Sequence, residues 1–122
     1  MDEQEFIRLF GTGTYDGGEL TGKTFKVEIL SGFVDLGFSG RWIKRFMGRS
    51  PRGYNRLGKW GFGYFRVESG VWRGYNCVVL DYGPGFVTIK DYIRQVDPTT
   101  WLGAYEISGV LKGFFRLKEV EK

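Results

Sequence analysis

The chain has 122 residues, with 18 basic and 14 acidic side chains, a formal charge of +4 and no histidine. The absence of histidine removes the commonest general base, the commonest zinc ligand and the usual proximal haem ligand, so catalytic triads and histidine-bound metals are excluded. This length suits one folding unit, and we expect residues 1–122 to form a single domain.

Glycine and aromatic residues are both unusually frequent. The chain contains 20 glycines and is 18% aromatic, a mixture that indicates closely spaced turns and broad ring surfaces, as in β proteins. The single cysteine, Cys77, excludes an internal disulfide. Neither a signal-peptide core nor an 18-residue apolar run is present, so we expect a cytoplasmic protein without membrane insertion.

The first segment, DEQEFIRLF at residues 2–10, has a helical pattern. Asp2 suits the N-cap position, acidic residues follow in the first turn, and Phe6, Leu9 and Phe10 share one face. We expect a short helix that plugs one end of the β structure after it.

After the helix, turn signals recur at short intervals and predict about eight or nine strands. Phe25, Val27 and Ile29 alternate with polar residues, as Phe115 and Leu117 do near the other end of the chain. Because no second helix is available to cover a sheet, we predict an all-β fold, a lipocalin-like, antiparallel up-and-down barrel. The turn signals lie at 16–18, 31–32, 39–40, 48–53, 69–70, 82–85, 97–100 and 108–109.

Three segments resemble the GXWXG family. GTYDG at 13–17 looks like a Tyr-for-Trp version of the family signature, and RWIKRF at 41–46 is similar to the GW-x-GK-x-F segment that follows it. Longer members have a second domain of unknown function, whose pattern is similar to residues 82–106. The resemblance implies a lipocalin-like barrel with an internal cavity for a small apolar molecule, and it supplies no reaction. The matching positions of the third segment are Asp91, Arg94, Val96, Asp97, Leu102 and Gly103.

The sequence departs from the family pattern in three places. Tyr15 replaces the tryptophan of the signature, Ile43 replaces a usual glycine, and residues 47–60 form a shorter middle segment than in relatives.

A segment rich in aromatic rings, KWGFGYFRV at 59–67, resembles the RNP1 element of RNA-recognition domains and a strand of cold-shock proteins. In a regular strand its first three rings share one face. Rings in this arrangement fill a core, line a cavity or stack on bases, and we expect these to face a cavity. The predicted ligand-binding residues are Tyr15, Trp42, Trp60, Phe62, Tyr64 and Trp101.

Basic residues accompany these rings. From Arg41 to Lys59 they occur with no acidic residue between Asp35 and Glu68, a pattern that suits a phosphate backbone but also an ordinary solvated face. Trp60 stands where RNP1 has a basic residue, and a second RNP2 motif is missing. Binding of single-stranded nucleic acid through residues 41–66 is therefore an alternative and not the leading hypothesis.

One carboxylate lies in an apolar column. Val87, Ile89, Asp91 and Ile93 share a face of the predicted strand, and an unpaired buried carboxylate would cost several kcal/mol, so Asp91 requires a partner or a raised pKa. Lys44 lies on the apolar face of its own strand and is the predicted counter-ion. The pair is either structural or catalytic, with Asp91 as acid or base and Lys44 as its helper.

The leading hypothesis is a barrel that binds a small hydrophobic or aromatic molecule. The enzyme alternative is an isomerase, cyclase or lyase that acts on a terpenoid- or polyketide-like substrate through Asp91, with a tyrosine (Tyr15, Tyr64 or Tyr92) as a second donor. We predict no metal site and no cofactor, and we leave a homodimer open.

Overall fold

The chain forms a closed barrel of eight antiparallel strands in this computed structural model, which describes residues 1–32, 41–83, 85 and 87–120. Each strand pairs with the next one in sequence, and the last pairs with the first. The predicted fold class is confirmed, while the turn predicted at 39–40 lies outside the described residues. The elements are α1 (Glu3–Gly11), a 3-10 helix (Gly17–Leu20), β1 (Thr24–Gly32), β2 (Trp42–Phe46), β3 (Arg52–Leu57), β4 (Trp60–Trp72), β5 (Tyr75–Asp81), β6 (Ile89–Asp97), β7 (Thr100–Ile107) and β8 (Val110–Glu119).

Side chains of alternating strand positions form the core inside the barrel. Phe25 and Val27 of β1 point inward, and Val27 is the cross-strand partner of Leu117 of β8, as the alternation predicts. Leu20 of the 3-10 helix joins the same core beside Phe46. This short helix therefore covers the end of the barrel where β2 ends and β1 begins.

Two glycines make room for aromatic rings inside the barrel. Gly53 is the cross-strand partner of Phe65, and Gly103 is the partner of Phe115. Each ring lies over its glycine so closely that a Cβ atom there would overlap the ring. The interior is thus packed by large rings that reach across residues without side chains.

Helix α1 packs on the outer wall of the barrel. Phe6 stacks on Phe114 of β8 with 4.2 Å between ring centroids, and Phe10 meets Trp72 edge-on at 5.2 Å. Phe114 points outward because it alternates with the inward Phe115. The predicted plug is therefore wrong. Strands β5 to β8 have apolar side chains on both faces, and the helix covers the outward ones.

Arg94 of β6 fastens the end of α1 to this wall. Its Nε donates to the carbonyl oxygen of Phe10 at 2.8 Å, and its two terminal nitrogens donate to the carbonyl oxygens of Gly13 and Asn76. Thr14, which follows Gly13, exchanges two backbone hydrogen bonds with Gln95. A Cβ atom at Gly13 would lie 2.6 Å from the Gln95 carbonyl oxygen, so this approach requires glycine.

The turn predicted at residues 69–70 is wrong, and residues 31–32, also predicted as a turn, are the last two residues of β1. The Ser69–Gly70 pair was expected to end a strand, but β4 continues through it to Trp72. Gly70 pairs with Cys77, and a Cβ atom there would lie 2.5 Å from a methyl group of Val79. The glycine therefore reflects close packing against β5, while the strand turns at Arg73 and Gly74, which have positive φ.

Replacement of Arg94 by Met should lower the free energy of unfolding by about 2 kcal/mol or more, because three carbonyl oxygens lose a charged donor in a buried setting. Urea denaturation followed by circular dichroism measures the change. Arg56, which is exposed on β3, provides the control, and Arg56→Met should change the free energy by no more than about 0.5 kcal/mol. Equal losses in the two variants would contradict this role of Arg94.

Candidate functional site

A cavity of about 260 Å³ lies inside the barrel at the end opposite the 3-10 helix. Apolar and aromatic side chains make up most of its wall, and four polar side chains meet on one side of it. The lining residues among those the structure describes are Val27, Ile29, Trp42, Lys44, Asn55, Phe62, Gly63, Tyr82, Ile89, Asp91, Tyr105, Ile107 and Phe115.

Lys44 and Asp91 form a buried ion pair on the cavity wall. Lys44 Nζ lies 3.1 Å from Asp91 Oδ2, and both residues are nearly inaccessible to solvent. The strand parities therefore predicted both the inward orientation of each side chain and their pairing. Catalysis by Asp91 with Lys44 as its helper stays a prediction.

Two neutral side chains complete the surroundings of the ion pair. Lys44 Nζ donates to Asn55 Oδ1 at 2.7 Å and to the Tyr82 hydroxyl at 2.6 Å. The Tyr82 hydroxyl donates in turn to Asp91 Oδ2 at 2.7 Å. Trp42 Nε1 also donates to Asn55 Oδ1, at 2.6 Å. The ammonium group thus has oxygen partners for all three of its protons.

Burial shifts two pKa values in this network. The pKa of Lys44 is lowered because burial disfavours the charged ammonium, and the nearby Asp91 carboxylate opposes this effect. The pKa of Tyr82 is raised well above its usual value, first by burial and then by the same carboxylate. The phenol therefore stays protonated and remains a hydrogen-bond donor at neutral pH.

Aromatic rings surround the ammonium group on its other sides. The Nζ atom lies between 5.1 and 5.6 Å from the ring centroids of Trp42, Phe65, Tyr82 and Phe115. Ring faces attract a cation electrostatically, so they offset part of the cost of removing this lysine from water. Three of these rings, those of Trp42, Tyr82 and Phe115, also line the cavity that a ligand would enter.

A bulge in β4 separates the rings of the KWGFGYFRV segment. Phe62 pairs with Asn55 and Phe65 with Gly53, so the register shifts between them, at Gly63, which has a φ of +54°. Phe62 lines the cavity, whereas Tyr64 is 70% exposed on the outer wall. The prediction that these rings share one face is wrong because the bulge reverses the alternation.

Four of the six predicted ligand-binding residues do not line the cavity. Trp60 is 80% exposed at the β3–β4 turn, and Tyr15 is 43% exposed beside the 3-10 helix. Trp101 is buried in the packed end of the core. With Tyr64, these are corrections to the predicted lining, while Trp42 and Phe62 do face the cavity.

Asn55 and Tyr82, which hold the ion pair, were not among the predicted site residues. Asn55 lies on the same face of β3 as Gly53 and Leu57, and this parity indicates an inward position once residues 52–57 are assigned to a strand. Tyr82 directly follows β5 and belongs to the turn predicted at residues 82–85. The signal for it was the preceding inward column of Val78 and Leu80.

Other chemistry is not supported within the described part of the chain. That part holds no group of three or more acidic or cysteine side chains placed to bind a metal ion. Cys77 is buried under α1, and burial raises the pKa of its thiol to about 11, which disfavours a nucleophilic thiolate. No helix in the same residues is long and apolar enough to cross a membrane.

The Lys44–Asp91 pair should show strong energetic coupling. Asp91→Leu alone should cost about 3–5 kcal/mol of unfolding free energy, because it leaves the ammonium unpaired, whereas Lys44→Met/Asp91→Leu should be close to neutral. A double-mutant cycle by urea denaturation measures the coupling. The control is the half-exposed pair Glu28–Arg116 on the outer wall, whose coupling should not exceed about 1 kcal/mol. Similar coupling energies for the two pairs would contradict the explanation that burial makes the Lys44–Asp91 interaction strong.

Comparisons with known proteins identify the fold and no activity. No family model and no curated protein matches the chain. A crystal structure of a protein from Thermomonospora curvata is similar, with a TM-score of 0.72 and 18% sequence identity over 99% of this chain and 89% of the other. At this identity the likeness shows that the two chains share a fold.

Proposed function

We propose that the barrel binds a small, largely apolar molecule in its internal cavity. The observation that supports this function is the cavity itself: a hollow end in a barrel whose other end is filled with side chains. Enclosed apolar pockets with a few convergent polar groups are the usual form of small-molecule sites. The resemblance to the GXWXG family, which we retain as a proposal, implies the same kind of cavity.

The dimensions of the cavity limit the size of the ligand. Its volume of about 260 Å³ is slightly below the usual range for ligand pockets, roughly 300–1,000 Å³, so a compact molecule of one or two rings fits best. Removing about 300 Å² of apolar surface from water at roughly 25 cal/mol per Å² gives about 7 kcal/mol. The entropy lost on association reduces this value, so we expect an affinity in the micromolar range or weaker.

A larger side chain at the cavity wall should displace the ligand. Ile107 lines the cavity, and Val110, three residues later, is exposed beyond the β7–β8 turn. We expect Ile107→Trp to weaken binding of naphthalene at least tenfold by filling the cavity, and Val110→Trp to have little effect. Isothermal titration calorimetry measures both affinities, and thermal melts confirm that the variants are folded. Equal effects of the two variants would contradict the proposed function, as would failure of the unaltered protein to bind either naphthalene or a compound of the same ring size that carries one polar group.

The outer wall of the barrel supports a second candidate function, binding of single-stranded nucleic acid. Tyr64 lies against Tyr54 with 5.9 Å between ring centroids, and Arg56 is exposed next to Tyr54 on β3. The nearest acidic residue on β4, Glu68, is engaged with Arg66 at 3.1 Å. Exposed rings beside exposed positive charge are the features that sequence-tolerant binding of single strands uses. This surface is separate from the cavity, so the two functions do not exclude each other.

Two substitutions separate stacking from charge on the outer wall. With a fluorescein-labelled 12-residue oligo(dT), Tyr64→Ala should weaken binding roughly fivefold or more through lost stacking. Arg56→Gln should reduce the slope of log affinity against log salt by about 1. Fluorescence anisotropy at several salt concentrations measures both. Arg8→Gln on α1 is the control and should change neither quantity, and absence of binding at low salt would reject this candidate.

A further inference from the structure

Every polar hydrogen of the side chains around the ion pair has an acceptor within the protein. Trp42 donates to Asn55, Lys44 donates to Asn55 and Tyr82, and Tyr82 donates to Asp91. The Asn55 amide nitrogen donates to the carbonyl oxygen of Gly63 at 2.8 Å and to the Tyr82 hydroxyl at 3.3 Å. Each polar hydrogen of these four donors is therefore directed at an acceptor of the protein itself.

The acceptors of the network are occupied as well, with one exception. Asn55 Oδ1 and the Tyr82 hydroxyl each receive two hydrogen bonds. Asp91 Oδ2 is close to both the Tyr82 hydroxyl and the ammonium group. Among the residues that the structure describes, none donates to the other carboxylate oxygen, Asp91 Oδ1. Since Asp91 lines the cavity, this oxygen is the position left for a ligand.

The remaining polar side chain of the lining takes part in none of these hydrogen bonds. Tyr105 also borders the cavity, but it is engaged in an interaction of its own. The polar side of the cavity therefore offers an incoming molecule a negatively charged acceptor, while the lysine beside it has no proton to spare.

We propose that the ligand is an apolar ring compound with one hydrogen-bond donor, a hydroxyl or an N–H group, which it gives to Asp91 Oδ1. This inference rests on the proposed function and specifies its ligand class. It excludes apolar carboxylates, since an anion there would face the free carboxylate oxygen without receiving a hydrogen bond. It also disfavours plain hydrocarbons, which leave that oxygen unpaired once water is displaced.

Three probes with the same ring system test the ligand class. Naphthalene, 2-naphthol and 2-naphthoate have nearly the same shape and differ in being apolar, a neutral donor at pH 7 and an anion. Because a hydrogen bond to a charged group is roughly twice as strong as one between neutral groups, 2-naphthol should bind roughly tenfold or more tightly than naphthalene. We expect 2-naphthoate to bind more weakly than naphthalene. Isothermal titration calorimetry gives the three affinities.

The outcomes separate this inference from the function on which it rests. If naphthalene binds and 2-naphthol binds no better, or if 2-naphthoate binds most tightly, the ligand class is wrong while the binding function stands. If none of the three binds, the binding function fails and the ligand class fails with it.

A pair of variants tests the assignment to Asp91. Lys44→Met/Asp91→Leu replaces the ion pair with apolar side chains of similar size, and the ratio of the naphthalene and 2-naphthol dissociation constants should fall from about ten to about one. Glu28→Gln/Arg116→Gln removes an ion pair from the outer wall of the same barrel and should leave the ratio unchanged. A preference for 2-naphthol that persists in the first variant would overturn the role of Asp91.

Discussion

The buried ion pair of Lys44 and Asp91 is the constraint on which the hollow end of the barrel depends. Taking two charges out of water costs several kcal/mol for each ion, and their mutual attraction repays that cost only when further hydrogen bonds satisfy both groups. Asn55 and Tyr82 supply those bonds, from β3 and from the end of β5. The four side chains, from separate parts of the sequence, therefore depend on one another for their positions. Together they form the polar side of the cavity wall.

The large side chains elsewhere in the protein pack away from the hollow end of the barrel and leave it free. Large rings such as Phe65 lie across glycines in the packed end, and Leu20 covers it from outside the sheet. Helix α1 is held on the outer wall by Arg94, so it takes up none of the interior. The division between a filled end and an open end follows from the placement of these rings, because all eight strands run through both ends.

Strand periodicity predicted the barrel and its ion pair but not the details that interrupt periodicity. Lys44 and Asp91 could be placed because each lies within a regular strand, where alternation determines the face. Tyr64 could not, because the bulge at Gly63 depends on the pairing with β3, which no local pattern reports. The position of α1 also escaped prediction, since its apolar face suits a barrel end and an outer wall equally well.

The bulge at Gly63 also bears on how insertions and deletions would affect β4 during evolution. In a regular strand two residues face the same side when one residue separates them, so without the bulge Phe62 and Tyr64 would share a face. Removal of Gly63 itself would make these two rings adjacent and keep them on opposite faces, because Phe62 would still pair with Asn55 and Phe65 with Gly53. Insertion or deletion of one residue in a regular part of the strand would instead exchange the faces of the residues beyond it, and so would move side chains between interior and exterior. A single glycine thereby lets one strand provide Phe62 to the cavity and Tyr64 to the solvent, two surfaces that can diverge independently.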